Sequence, residues 1–194
     1  VSRPTARQAL QRLVDRGLLT RRRGVGTIVS PRHVHRPMEL TSLMRDLVNA
    51  GHKVHTTIQR YEARPANAQE ADVLKITEGT LIVHIERTRF ANDEPIAVLT
   101  NFIPTDIAPT MQELESASLY DLMRERGVTL ASARQVIGAR SATTKEAKLL
   151  SEHRGAALLT TQRTTYDPSG RIVEYGNHIY RASRYSFETS LFAQ

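Results

Sequence analysis

Cysteine is absent from the 194 residues. That excludes disulfides, iron–sulfur clusters, thiolate zinc sites and a cysteine nucleophile, and leaves histidine and carboxylate as the available metal ligands. Long apolar runs are also missing. No stretch approaches the roughly 18 consecutive apolar residues of a membrane helix, and no charged start followed by an apolar core reads as a signal peptide. The expectation is a soluble, cytoplasmic protein. Aromatic residues make up only 5%, beside 40% apolar and 24% charged residues, a balance typical of globular chains with one or two domains. The first residue is Val1 rather than Met, so the N-terminal element is expected to have lost residues upstream.

Acidic residues are scarce at the start of the chain. Residues 1–36 hold nine arginines against one acid, Asp15, a net charge of +8, while the remaining 158 residues sum to −1. All of the basic excess is therefore N-terminal. Such an asymmetry suits a module that binds a polyanion through counterion release, joined to a neutral module with a different task. A solvated basic tail is the alternative.

The pattern inside the segment argues against a tail. From Ser2 to Asp15 the sequence SRPTARQALQRLVD places Ala6, Ala9, Leu10, Leu13 and Val14 at helical spacing. Ser2 can cap the helix, Pro4 fits its first turn, and Gly17 can stop it. The other face carries Arg3, Thr5, Arg7, Gln8, Gln11 and Arg12, side chains that hydrogen-bond base edges and phosphates in a major groove. Two β-prone runs follow, LLTR and TIVS, around RRGVG. Its two glycines can form a hairpin tip with Arg22 and Arg23 at the base.

A helix followed by a basic β-wing, VSRPTARQALQRLVDRGLLTRRRGVGTIV, resembles the second half of the winged helix-turn-helix of GntR-family bacterial transcription regulators. The resemblance implies that the helix beginning near Ser2 is the DNA recognition helix and that Gly24 and Gly26 approach the minor groove. The family's two preceding helices are not in this sequence.

The proline-flanked SPRHVHRPMEL has too little periodicity for a regular element, and residues 31–39 are expected to be a linker between a DNA-binding module at 1–30 and a second domain at 40–194. His33 and His35 alternate there, and His52 stands three residues from His55. Without a third ligand at fixed spacing, no metal site and no cofactor are expected.

The second domain repeats itself. Ala63, Arg64, Glu70, Ala71, Leu74, Gly79, Arg87, Thr88 and Ile96 each recur 76 positions later. Each copy reads as a long strand, a short helix, a glycine turn and a β-hairpin. The expected architecture is α+β: an antiparallel sheet with pseudo-twofold symmetry and helices on one side. SLYDLMRERG between the copies forms a helix with Leu119, Leu122 and Met123 on one face, and RYSFETSLF supplies a closing strand. With its ELTS segment, RTRFANDEPI hairpin, SLYDLM, VEY strand and closing YRASRYSF, the stretch from about Leu40 to Phe192 resembles the UTRA effector-binding domain of the HutC subfamily of GntR regulators. That domain has a chorismate lyase-like fold.

Residues two apart on a strand share a face. Along TLIVHIERTRF the face of Leu81, Val83 and Ile85 continues into Arg87 and Arg89. Arginines in line with a buried face need an anion, either a protein carboxylate or a ligand. The same periodicity groups Ile172, Glu174, Gly176, His178 and Tyr180, a set suited to hydroxyl recognition or to a solvent face. Thr41 and Ser42 begin a helix with an apolar stripe at Leu43, Met44, Leu47 and Val48, as an anion-binding N-terminus or a simple cap. The UTRA resemblance implies an effector held at Thr41, Ser42, Arg87, Arg89, Ser118, Tyr120, Glu174 and Tyr180. Leu99 stands where many relatives have a glutamate that contacts sugar hydroxyls. This departure argues against an amino-sugar phosphate and leaves a small anionic molecule.

The resulting expectation is a homodimeric, one-component transcription regulator, a repressor, whose operator affinity changes when a small anionic metabolite such as a sugar phosphate binds. The alternative is an enzyme of the chorismate lyase type acting on a small carboxylate. The sequence offers no constellation of acid, base and nucleophile for it. A 194-residue chain with half of the helix-turn-helix scaffold is expected to bind DNA poorly.

Overall fold

The computed structural model describes residues 3–15, 19–22, 26–29, 34–37 and 40–189. Helix α1 spans Arg3–Asp15, and an antiparallel hairpin of β1 (Leu19–Arg22) and β2 (Gly26–Val29) pairs Leu19 with Val29 and Arg22 with Gly26. The helix and wing of the sequence reading are both present. The proposed cap Ser2 and stop Gly17 lie outside the described residues. On the apolar stripe, Ala6, Ala9 and Leu10 are exposed.

The expected linker is not wholly irregular. Val34–Pro37 forms strand β3, which pairs in parallel with β10 (Tyr185–Glu188), Val34 lying beside Tyr185. The closing strand thus closes onto the linker and not onto the large sheet. The pairing joins segments about 150 residues apart in sequence, beyond the reach of local periodicity.

The large sheet has six antiparallel strands in the order β4 (Val54–Pro65), β5 (Leu81–Ala91), β6 (Glu94–Pro104), β9 (Ile172–Arg181), β8 (Ala157–Tyr166) and β7 (Ser132–Ser141). This order is a palindrome of the two repeats about the β6–β9 seam. Helices α3 (Ala68–Leu74) and α6 (Thr144–Leu149) start with matching capping boxes, Asn67 with Glu70 and Thr143 with Glu146. Arg64 and Arg140 hold those glutamates in equivalent two-pronged pairs of 2.6 and 2.7 Å. The β5–β6 hairpin turns on Asn92 and Asp93, both at positive φ, as a tight two-residue turn requires.

Helices lie on both faces, which corrects the one-sided expectation. Ile82 packs with Ala71 and Leu74 of α3, whereas its neighbour Val83 packs with Leu119, Leu122 and Met123 of α5 (Leu119–Glu125). Adjacent strand residues point to opposite faces. The repeat helices α3 and α6 cover one face, and the helices outside the repeat cover the other: α4 (Met111–Ser116), α5 and, beside them, α2 (Leu43–Asn49). The site lies under that second group. Among the described residues, no helix is long and apolar enough to cross a membrane.

Candidate functional site

Strand register assembles the site. On the α2/α5 face one row of cross-strand neighbours runs Ile85, Asn101, Gly176, Arg163, Gln135, and the next runs Arg87, Leu99, His178, Thr161, Ile137. Arg89, Ala97 and Tyr180 form a third. Above these rows, the starts of α2 and α5 bring Thr41, Ser42 and Ser118 over the sheet. Several residues of these rows and of the helix starts line a small pocket, partly open to solvent. All eight residues expected to hold an effector line it.

The charge balance is uneven. Arg87, Arg89 and Arg163 contribute three guanidinium groups to the lining, against the single carboxylate of Glu174. Arg87 and Arg89 are each 2% exposed. Arg87 donates to Asn101 Oδ1 at 2.7 Å and leaves Nε and Nη1 without a partner; Arg89 donates to Thr56 Oγ1 and leaves Nε without one. Among the described residues neither forms an ion pair, so the internal salt-bridge reading does not hold. Burial draws Arg87 down to about 10. Burial, then the neighbouring charge of Arg87, draws Arg89 to about 9. Both remain cationic at neutral pH, and holding unpaired charge in such a place costs several kcal/mol, on the order of a buried ion's desolvation.

Opposite them is a hydrogen-bonded polar cluster. Fully buried Glu174 accepts from Thr165 Oγ1 at 2.7 Å, Asn101 Nδ2 at 2.6 Å and Tyr120 Oη at 3.3 Å. Burial pushes its carboxyl above the usual range and lifts the Tyr120 phenol to about 12. His178 bridges Asn101 and Tyr180, at 3.2 and 3.3 Å. Gly176 makes this cluster possible: a Cβ there would meet Glu174 Oε1 and His178 Nε2, each at 2.5 Å.

At the helix starts, Ser42 Oγ accepts from the Arg45 backbone N–H at 3.1 Å, so it is the α2 cap. Thr41 Oγ1 donates to Asp46 Oδ2 at 3.0 Å. Ser118 occupies the cap position of α5 without capping it, and its buried hydroxyl has no partner.

Ile172 does not share the face of Glu174, His178 and Tyr180. A register shift beside Thr165/Tyr166 turns it to the α3 side with Ile82, as an extra residue in one strand does. Sequence reasoning named neither Asn101 nor Arg163 for the site. Arg163 had a signal: it is the repeat mate of Arg87. Asn101 had none, because its importance comes from lying opposite Gly176 on a non-consecutive strand.

On α1, Thr5, Arg7, Gln8, Gln11 and Arg12 are exposed. Arg3 lies in the first turn of the helix, Arg22 ends β1, and exposed Gly26 begins β2. Ser2, Arg23 and Gly24 lie outside the described residues.

Residues 1–29 match the family of bacterial regulatory proteins called gntR, and residues 49–186 match the UTRA domain. The chain is similar to the HTH-type transcriptional repressor NagR of Bacillus subtilis, 34% identical over 190 residues covering 96% of this chain and 78% of the relative. It is 27% identical to the histidine utilization repressor of Klebsiella aerogenes, with the same coverage of each. Among solved structures, PhnF from Mycobacterium smegmatis superposes with a TM-score of 0.78 at 25% identity, covering 100% of this chain and 87% of that one.

Proposed function

Because this chain belongs to the GntR family of bacterial regulators and joins that family's DNA-binding part to a UTRA effector-binding domain, we propose that its effector is a small anionic metabolite held between Arg87 and Arg89. The protein is a DNA-binding transcription regulator. The observation that carries the anion reading is the pair of buried arginines with no ion-pair partner among the described residues, beside the unpartnered hydroxyl of Ser118. Glu174, Tyr120, His178 and Tyr180 suit the hydroxyls of a sugar-like body, and a sugar phosphate has both chemistries. Leu99, opposite Arg87, gives that body an apolar neighbour.

In this reading, residues 1–30 bind DNA, 31–39 connect, and 40–194 bind the effector and dimerise. The protein acts in the cytoplasm as a homodimeric repressor on a palindromic operator, because two half-sites match a twofold protein. The switch runs through Tyr180. Its ring lines the cavity and stacks on Tyr185 of β10 at 4.4 Å between centroids, and β10 pairs with β3 in the connecting segment. A ligand that repositions Tyr180 thereby biases the direction in which the chain leaves for the DNA-binding module. A tenfold change in operator affinity needs a coupling of only about 1.4 kcal/mol, within reach of one charge-assisted contact made in a single state.

The test is a thermal-shift screen of phosphorylated sugars and carboxylic acids, since a ligand of the native state raises stability with its saturation. An operator titration of protein with a complete helix-turn-helix, with and without the strongest hit, follows. A hit that leaves operator affinity unchanged overturns the switch.

A further inference from the structure

Asn101 has a fixed orientation. An arginine can only donate, so the amide atom that meets Arg87 at 2.7 Å is the carbonyl oxygen, and the amide nitrogen is left to face Glu174 Oε1 at 2.6 Å and His178 Nε2 at 3.2 Å. Both hydrogens of that nitrogen are thereby placed, one on the carboxylate and one on the imidazole. Nε2 must accept. A neutral imidazole that accepts at one nitrogen carries its proton on the other, so His178 Nδ1–H donates to the Tyr180 hydroxyl at 3.3 Å.

The consequence falls on Tyr180. Its oxygen accepts from His178, and among the described residues its own hydrogen meets no acceptor. The side chain is fully buried and lines the pocket. On the sheet it shares a row with Arg89, with only the methyl of Ala97 between them in that row. A buried donor without an acceptor is costly, and an oxygen of a bound anion would supply one. With the opposite tautomer, Nε2–H would point at the Asn101 amide hydrogens and Tyr180 would spend its hydrogen on Nδ1. The pocket would then meet only the lone pairs of the phenol oxygen.

We propose that His178 is a positioning residue for the effector: it fixes the Tyr180 hydroxyl as a hydrogen-bond donor aimed into the pocket, beside Arg89. This rests on the anion reading above and sharpens it. Hydrogen-bond direction runs from Arg87 through Asn101 and His178 to Tyr180, so the effector group that meets Tyr180 is an acceptor, a phosphoryl, carboxylate or carbonyl oxygen. An ammonium group, which can only donate, is refused at that wall.

The two amide replacements of histidine separate this role from mere packing. Asparagine carries its amide nitrogen on Cγ, where histidine carries Nδ1, and can still donate to Tyr180. Glutamine carries its amide one bond farther out, at the place of Nε2, and cannot. The readout is the concentration of inorganic phosphate that gives half of its full rise in melting temperature. His178→Gln and Tyr180→Phe should each need about tenfold more phosphate than the wild type, as for one lost hydrogen bond to a charged group. His178→Asn should recover most of that loss, and the double variant His178→Gln/Tyr180→Phe should be no worse than either single one, because both remove the same contact. Nitrogen NMR of the His178 ring in the wild type should show the proton on Nδ1, a result that needs no variant to fold. A proton on Nε2, an asparagine variant as weak as the glutamine one, or losses that multiply in the double variant would overturn the role of His178 and leave the anion reading standing. A wild type that phosphate does not stabilise overturns both.

Discussion

Arg87 and Glu174, opposite charges in one buried cavity, do not touch: Asn101 stands between them, accepting from Arg87 at 2.7 Å and donating to Glu174 at 2.6 Å. A neutral bridge leaves the arginine's charge available to a ligand while tying both groups in place. Asn101→Leu keeps the volume but leaves a guanidinium N–H and a carboxylate oxygen unpaired in the interior. The expected cost is about 3 kcal/mol, as for stranded charged hydrogen-bonding groups, measured by urea unfolding.

Gly176 gives a sharper test of the same cluster. Adding one methyl drives Glu174 and His178 apart, so Gly176→Ala should abolish the thermal shift produced by an effector. Its own melting temperature should fall by several degrees, as a strained core substitution of about 1–3 kcal/mol implies. A variant that binds as the wild type does would show that the two side chains can part without consequence.

His84 predicts a pH dependence away from the cavity. It is buried on the α3 side of the sheet, stacked on Phe102 at 4.6 Å, with both ring nitrogens unpartnered. Burial lowers its pKa below 6.5; Arg64 and Arg60 lower it further, against Glu86 and Glu70. The folded state thus resists a proton that the unfolded chain accepts, and stability is lost as pH falls through 6.5. His84→Phe removes that penalty, so its gain over the wild type should grow from pH 8 to pH 5 in paired denaturation curves. An equal gain at both pH values would show that His84 does not titrate differently on folding.

For the DNA-binding module, in protein with the two preceding helices restored, Arg7→Ala should weaken operator binding by about 1–3 kcal/mol and relax preference at one base step, as a lost arginine–guanine contact does. A uniform loss on all DNA assigns Arg7 to phosphate. Unchanged binding by both Arg3→Ala and Arg7→Ala would remove α1 from the recognition role.

How far the sequence could be read follows from the range of each interaction. The repeat offset of 76 points directly to the pseudo-twofold sheet, and strand alternation points to Arg87 and Arg89, because both are patterns of residue type written along the chain. The bulge that turns Ile172 away is not visible as a change of residue type, so alternation grouped it with Glu174. The β3–β10 pairing and the Asn101 bridge join distant segments, and no periodicity reports them. Arg163 was legible: carrying the repeat offset from Arg87 leads to it. The second layer of helices was obscured because α4 and α5 lie outside the repeat that suggested a single covered face.

The most direct measurement, made on protein with a complete helix-turn-helix, is an operator titration of Arg87→Ala and of Arg89→Ala, each with and without the anion that most raises the wild type's melting temperature. The wild type should lose affinity with the anion present. Both variants should bind operator nearly as tightly as the unliganded wild type and show no response to the anion. A variant that still responds at the wild type's effector concentration would contradict the account, because the two arginines would then be structural and the effector's charge would be met elsewhere.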